Sequence, residues 1–307
     1  MVKDIVLAIS LTFMYSAPLI FTASGGVISQ RAGVDNIGLE GMMTIGAFTG
    51  AIVGYFTGSA WLGFFAGGLA GVFTSLFHAI VSVTLKGNQI ISGIAINFIG
   101  PGLSLFFARL LFEGASQTKN VPQKIPKFYE FLGLQKSNSG ILGVLDIDMT
   151  IILAVLTVIL LWFFLYKTKS GLHVRACGEH PAAADTMGIN IYLTRYLCVL
   201  TSGFLAGLGG ACYTLAIISN FTPTVISGQG FIALAAVIFG NWKPIGAAMG
   251  CLLFGFAQAL MILCASTAIP SQILAMIPYV LTLLILIFTK KSDPPKANGQ
   301  PYFKGQA

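Results

Sequence analysis

Charge is what this chain has least of. Asp, Glu, Lys and Arg together make 9% of its 307 residues, and only 10 of them are acidic. Soluble domains carry about a quarter charged residues and are about half apolar. Here apolar residues reach 56% and the mean hydropathy is +0.86. So few charges cannot cover so much apolar surface in water, which excludes a soluble globular fold and makes lipid the main solvent. The basic residues form no dense stripe and sit between apolar runs, so the net charge of +7 reads as membrane topology and not as a nucleic-acid surface.

Signatures of chemistry are missing as well. No G-x-x-x-x-G-K-[ST] phosphate loop occurs, so any ATP has to be bound by another polypeptide. There is no H-E-x-x-H, no G-x-S-x-G and no pair of Asp residues deep in different spans, which argues against a membrane enzyme. The deep spans hold hardly any acids, which leaves proton or sodium coupling in a secondary transporter little to act on. Cys177, Cys198, Cys212, Cys251 and Cys264 show no C-x-x-C spacing and four lie in apolar runs, where a thiol is a small core-filler.

What the chain does have is long apolar runs. A helix needs about 20 residues to cross the hydrocarbon core. Runs of that kind predict spans near 5–28, 38–57, 61–85, 89–112, 149–166, 195–217, 229–240, 245–266 and 272–289, an all-α polytopic bundle of about nine helices. The seventh is short enough to be tilted or only partly crossing. Lys3 and Asp4 cancel before the first run and Pro18 lies within it, so it reads as a retained span and not a signal peptide. Arg31, Lys86, Lys167, Lys169, Arg175, Arg195, Lys243, Lys290, Lys291, Lys296 and Lys304 then fall on one side, the expected cytoplasmic one. That places the loop 168–194 and the tail inside, and the N-terminus and the loop 113–148 outside. The tail 290–307, Pro-rich and polar, reads as disordered. Glycines four apart (Gly46, Gly50, Gly54 and Gly58; Gly63, Gly67 and Gly71; Gly203 and Gly207; Gly246 and Gly250) predict close helix packing.

Two stretches interrupt the apolar pattern. Between the first two spans stand Arg31, Asp35, Asn36 and Glu40. Arg31 and Asp35 are spaced to pair on a helical face; the group either braces a turn or lines the substrate pathway. Asn97, within the fourth span, either bridges two helices or offers an uncharged hydrogen-bonding edge to substrate. His78 reads as a packed core residue. The 24 Phe are ordinary lipid-facing bulk in the main.

The second stretch, "RACGEHPAAADTMGI" (175–189), predicts one short helix. Pro181 suits a first turn, Ala182, Ala183, Ala184 and Asp185 continue it, and Gly188 ends it in the left-handed conformation, with Glu179 near the positive end of the helix dipole. So short a helix is unstable alone and must be buried, either against its own bundle or in a groove of a soluble partner.

"GEHPAAADTMGI" resembles the coupling loop of ABC importer permeases. "RAGVDNIGLEGMMTIGAF" (31–48) and "GFIALAAVIFGNWKPIGA" (230–247) resemble the branched-chain amino acid and simple-sugar permease family, most nearly its nucleoside-uptake subgroup. The resemblance implies a bundle like the vitamin B12-type importers beginning one span later, with 1–289 as the permease domain in a bacterial plasma membrane. It also implies a second, different permease subunit, a cytoplasmic ABC ATPase holding the ATP, and an external substrate-binding lipoprotein. By the same resemblance Glu179, Pro181, Ala182, Ala183, Asp185 and Gly188 would contact the ATPase, while Asn36, Glu40 and Asn97 are candidates for the pathway. Sugar or branched-chain amino acid remains the alternative cargo, since the physical reading alone does not separate these from nucleosides.

Overall fold

The computed structural model describes residues 2–131, 148–264, 273, 276–288 and 293–305. Among these there is no β-strand, only one isolated bridge between Lys127 and Asp148. The helices are α1 (Val2–Arg31), α2 (Leu39–Thr57), α3 (Ala60–Ala79, continued by a π turn to Thr84), α4 (Gln89–Leu111), α5 (Phe128–Phe131) and α6 (Met149–Lys167), followed by α7 (Lys169–Glu179), α8 (Pro181–Thr186), α9 (Ile191–Cys212, continued by a π turn to Ile217), α10 (Gln229–Phe239), α11 (Pro244–Leu263) and α12 (Ile277–Phe288). Among the described residues seven helices are long and apolar enough to cross a membrane, and α10 is a shorter apolar helix. The expected runs are helical where they are described; α10, with 11 residues, is too short for a full crossing, and α12 is described over 12. The expected span 272–289 falls partly outside the described residues, as do 265–266 of the eighth span.

Local chemistry explains the boundaries. Asn88 accepts from the amides of Ile90 and Ile91, Thr168 from Gly171, and Asn190 from Leu193, so each caps the helix that follows it. Asn190 explains why α9 starts at Ile191, before the expected Arg195.

Glycine determines how closely α2, α3 and α9 meet. A Cβ at Gly67 would stand 2.6 Å from the Gly46 carbonyl oxygen, nearer than any real side chain sits. Gly203 and Gly71, and Gly207 and Gly67, face one another in the same way. In lipid this contact replaces the hydrophobic drive that water would supply. Gly58 belongs to a different role: with φ +70° and nothing within 4 Å it ends α2 in a turn.

Two ends of the bundle differ. At one, Arg31, Lys86, Lys167, Arg175, Lys243 and Lys304 accompany α7, α8 and the tail. At the other, the described part of the loop 113–148 folds against the end of α9, with the amides of Val121 and Ile125 donating to the carbonyls of Ser219 and Leu215. Residues 132–147 of that loop lie outside the described residues. None of the five cysteines is in a disulfide, and Cys177, Cys198, Cys212 and Cys251 are buried.

Candidate coupling surface and polar seam

The helix expected from Pro181 is α8, and the residues before it, expected as loop, form the end of a further helix, α7. His180 precedes Pro181, and the proline ring drives the preceding residue out of the α region. His180 accordingly takes φ −142° and ψ 80°, ending α7 at Glu179 and starting α8 with Pro181 in its first turn. Gly188 has φ +82° and follows α8 as the left-handed residue. Glu179 is thus the last residue of α7 and, as expected, stands just before the N-cap of α8. Its charge there is opposed to the dipole of α7 and is met by Arg31, whose Nη1 lies 4.0 Å from Glu179 Oε1.

α8 has two unlike faces. Ala184 is buried with Cys177, Ile191 and Tyr302, so this face packs on its own chain. Ala183, Thr186, Met187 and Gly188 are exposed, and Ala182 is half-buried. Met187 is 82% exposed, the most accessible large apolar side chain among the described residues, and it stands at the basic end beyond the apolar helices. Sequence reasoning had not singled it out; a lone Met in a polar, alanine-rich loop was its only signal. Asp185 turns inward and accepts a 2.9 Å hydrogen bond from the Tyr302 hydroxyl. Cys177, beneath α8, has its thiol pushed above its ordinary pKa by burial.

The first polar stretch is built differently. α1 stops at Arg31, and residues 32–38 run back into the bundle before α2 begins. Arg31 does not pair with Asp35. It donates to the Trp242 carbonyl at 2.8 Å, while Asp35 accepts from Gln30 at 2.8 Å. Asn36 is fully buried and donates to Ser202 of α9 at 3.0 Å; its Oδ1 has no partner among the described residues. Asn97 bridges α4 to this break, accepting from the Gly41 amide at 2.9 Å and donating to the Ile37 carbonyl at 3.0 Å. His78 is fully buried, as expected of a core residue, and hydrogen-bonded: Ser92 lies 3.0 Å from Nδ1, and the Asp35 carbonyl 3.2 Å from Nε2.

Glu40 closes the break. Its two carboxylate oxygens accept from the amides of Gly228 and Gly230, each at 2.6 Å, at the start of α10. Charge-assisted bonds of this length are the strong ones, and the positive end of a helix favours an anion. The far end of α10 lies beside Asn241 and Trp242, which hold Arg31. Eleven residues of helix at about 1.5 Å each place Glu40 about 16 Å from that end, inside the bundle. Next to it Gln258 donates to Gln229 at 2.7 Å. Asn36, Glu40 and Asn97 are therefore brought into one uncharged-to-acidic seam where α2, α4, α9 and α10 meet, while the six residues around α8 lie together at the basic end.

A family model described as branched-chain amino acid transport system, permease component, matches residues 8–289. The guanosine ABC transporter permease protein NupQ of Bacillus subtilis is 46% identical over an alignment covering 96% of this chain and 96% of that protein. The nucleoside ABC transporter permease protein NupC of Lactococcus lactis is 41% identical, with 95% of each chain covered. A putative glucose ABC transporter permease, TsgC13 of Haloferax volcanii, is 34% identical, covering 90% of this chain and 89% of its own. No solved structure matches.

Proposed function

Since the chain belongs to the branched-chain amino acid transport system permease family, a family of multi-pass membrane permeases and not of enzymes, we propose that it is the nucleoside-conducting permease subunit of an ATP-driven importer. α8 is its contact with a separate cytoplasmic ATPase. The observation that carries this reading is the free face of α8. A chain with no phosphate loop presents Ala183 and Met187, unburied and apolar, at its basic end, on a helix too short to stand alone. Small side chains permit close seating in a groove, and a flexible thioether fills it.

Nucleoside is the favoured cargo because the two nucleoside permeases are 46% and 41% identical along nearly the whole chain, against 34% for the glucose permease. The polar seam suits such a cargo. Gln229, half-buried, and Asn36, whose Oδ1 is unpaired among the described residues, carry uncharged amide edges of the kind that match base and ribose, while Asn97 and Gln258 brace them. The basic end is cytoplasmic on this reading, as the distribution of Lys and Arg requires. A second permease, an external binding lipoprotein and the ATPase complete the assembly; ATP is bound by the ATPase.

The test is uptake of labelled guanosine by proteoliposomes holding the whole assembly. Uptake should require ATP and persist when a protonophore collapses the proton gradient. Loss of uptake with the protonophore, ATP being held constant, would replace the ATP-driven mechanism with a secondary one. Uptake of ribose or leucine in place of guanosine would keep the mechanism and refute the cargo.

A further inference from the structure

The tail, expected to be disordered, is folded over residues 293–305 and fastened to the same end of the bundle as α8. A turn near Ala297, with Gly299 at φ +77°, brings its amides onto the end of α7: the Ala297 N–H donates to the Gly178 carbonyl at 2.8 Å. Three residues on, the Gln300 carbonyl accepts from Arg195 Nη1 at 2.9 Å. Arg195 belongs to the membrane helix α9 and is only 1% exposed, so this contact is within the protein and not on its surface. Tyr302 follows, 8% exposed, packed with Ala184 and Ile191, its ring centre 5.9 Å from that of Tyr192 and its hydroxyl donating to Asp185. Phe303 lies under the Lys86 ammonium at 4.3 Å, and the Asp293 amide donates to Asn241 Oδ1 at 3.2 Å.

These contacts form a continuous chain from α8 to α9: Asp185, Tyr302, the tail backbone at Gln300, Arg195. α8 is six residues long and meets α9 directly only through the four-residue connection and the packing of Ala184 on Ile191, at the first residue of α9. A helix so short transmits displacement only if something makes it one body with the membrane helices. We infer that residues 293–305 are a strap joining the coupling helix to α9, and that Tyr302 is its positioning residue, making α8 and α9 move together when the ATPase closes. The inference rests on the reading of α8 as the ATPase contact, and goes beyond it by assigning the coupling stiffness to the tail.

The experiment uses the full importer in proteoliposomes and reads ATP hydrolysed per guanosine imported, alongside recovery of the ATPase with the permease. Tyr302→Ala should leave ATPase recovery within about twofold of wild type, while ATP consumed per guanosine rises about fivefold or more, as closure strokes go untransmitted. Tyr302→Phe keeps the ring and its packing and loses only the hydroxyl, so a rise of about twofold is expected, in line with the net worth of one hydrogen bond. It decides the matter if the alanine variant fails to fold. An unchanged ratio in Tyr302→Phe and in any folded Tyr302→Ala would overturn the strap. So would loss of ATPase recovery in Tyr302→Ala, which would make the tail a docking contact and not a link. Failure of the underlying reading shows elsewhere, as normal ATPase recovery in Met187→Asp.

Discussion

The two polar interruptions of this apolar chain, residues 31–40 and 175–189, are alike in composition and opposite in construction. In the first, nearly every polar group is answered by the protein itself: Glu40 by two amides of α10, Asn97 by both sides of the break, Asp35 by Gln30. In the second, the inward groups are answered and a whole face is not: Ala184 and Asp185 are engaged, Ala183 and Met187 stand free. Lipid offers no hydrogen bonds, so a break that runs back into the bundle has to be self-sufficient. A break beyond the membrane can leave a face for a partner. The first is thus sensitive to loss of any member, the second to changes that leave the fold intact.

The largest effect is expected at Glu40. Glu40→Ala leaves the amides of Gly228 and Gly230 unpaired inside the bundle, at about 1–3 kcal/mol for each buried donor. Thermal unfolding of the purified chain in detergent should show a large drop, with Glu40→Gln intermediate because one oxygen remains. Wild-type stability in Glu40→Ala would erase the contrast between the two regions.

Met187→Asp comes next and should act on the partner alone. A central interface anchor is worth about 2 kcal/mol or more, roughly a thirtyfold loss of affinity. ATPase recovery should fall accordingly at unchanged thermal stability. Ala183→Trp should do the same by steric clash, whereas Ala184→Trp, on the buried face, should destabilise the chain itself.

The pair between Arg31 and Glu179 links the two regions and is worth less. Glu179 is 43% exposed in its side chain and the separation is 4.0 Å, so the pair contributes at most about 1 kcal/mol. Glu179→Arg should lower the midpoint of unfolding slightly. Adding Arg31→Glu should recover only part of it, because Arg31 also donates to the carbonyls of Asn241 and Trp242.

Much of this was legible in the sequence. α2 and α4 lie within a residue of the expected 38–57 and 89–112, because apolar runs of that length have one stable form in lipid. Pro181 and Gly188 mark the start of α8 and the left-handed residue after it for reasons internal to each residue. The helix α7 before α8 was not legible, since residues 169–179 read as part of a polar cytoplasmic loop. The tail was not legible. Its Pro and polar residues read as disorder, while its order depends on the Gly178 carbonyl, Arg195 and Asp185, partners more than 100 residues away that no local pattern announces. The aromatic pair Tyr302 and Phe303 was the one hint. Nothing local announces either that Arg195, counted with the basic residues of the cytoplasmic side, is buried under that tail.

The smallest effect is chemical. Cys177 is buried and its thiol held above the ordinary range, so a maleimide should leave it unmodified in the folded protein, while Met187→Cys at the end of α8 reacts quickly. Modification of Cys177 at a comparable rate would mean that the loop opens.

The central claim, that the free face of α8 meets the ATPase, is tested most directly by photo-cross-linking from that face in the assembled importer. A photoreactive residue placed at 187 should form an adduct with the ATPase, and one placed at 119, at the opposite end of the bundle, should not. Absence of an ATPase adduct from 187 in an importer that still transports guanosine, or an ATPase adduct from 119, would contradict it.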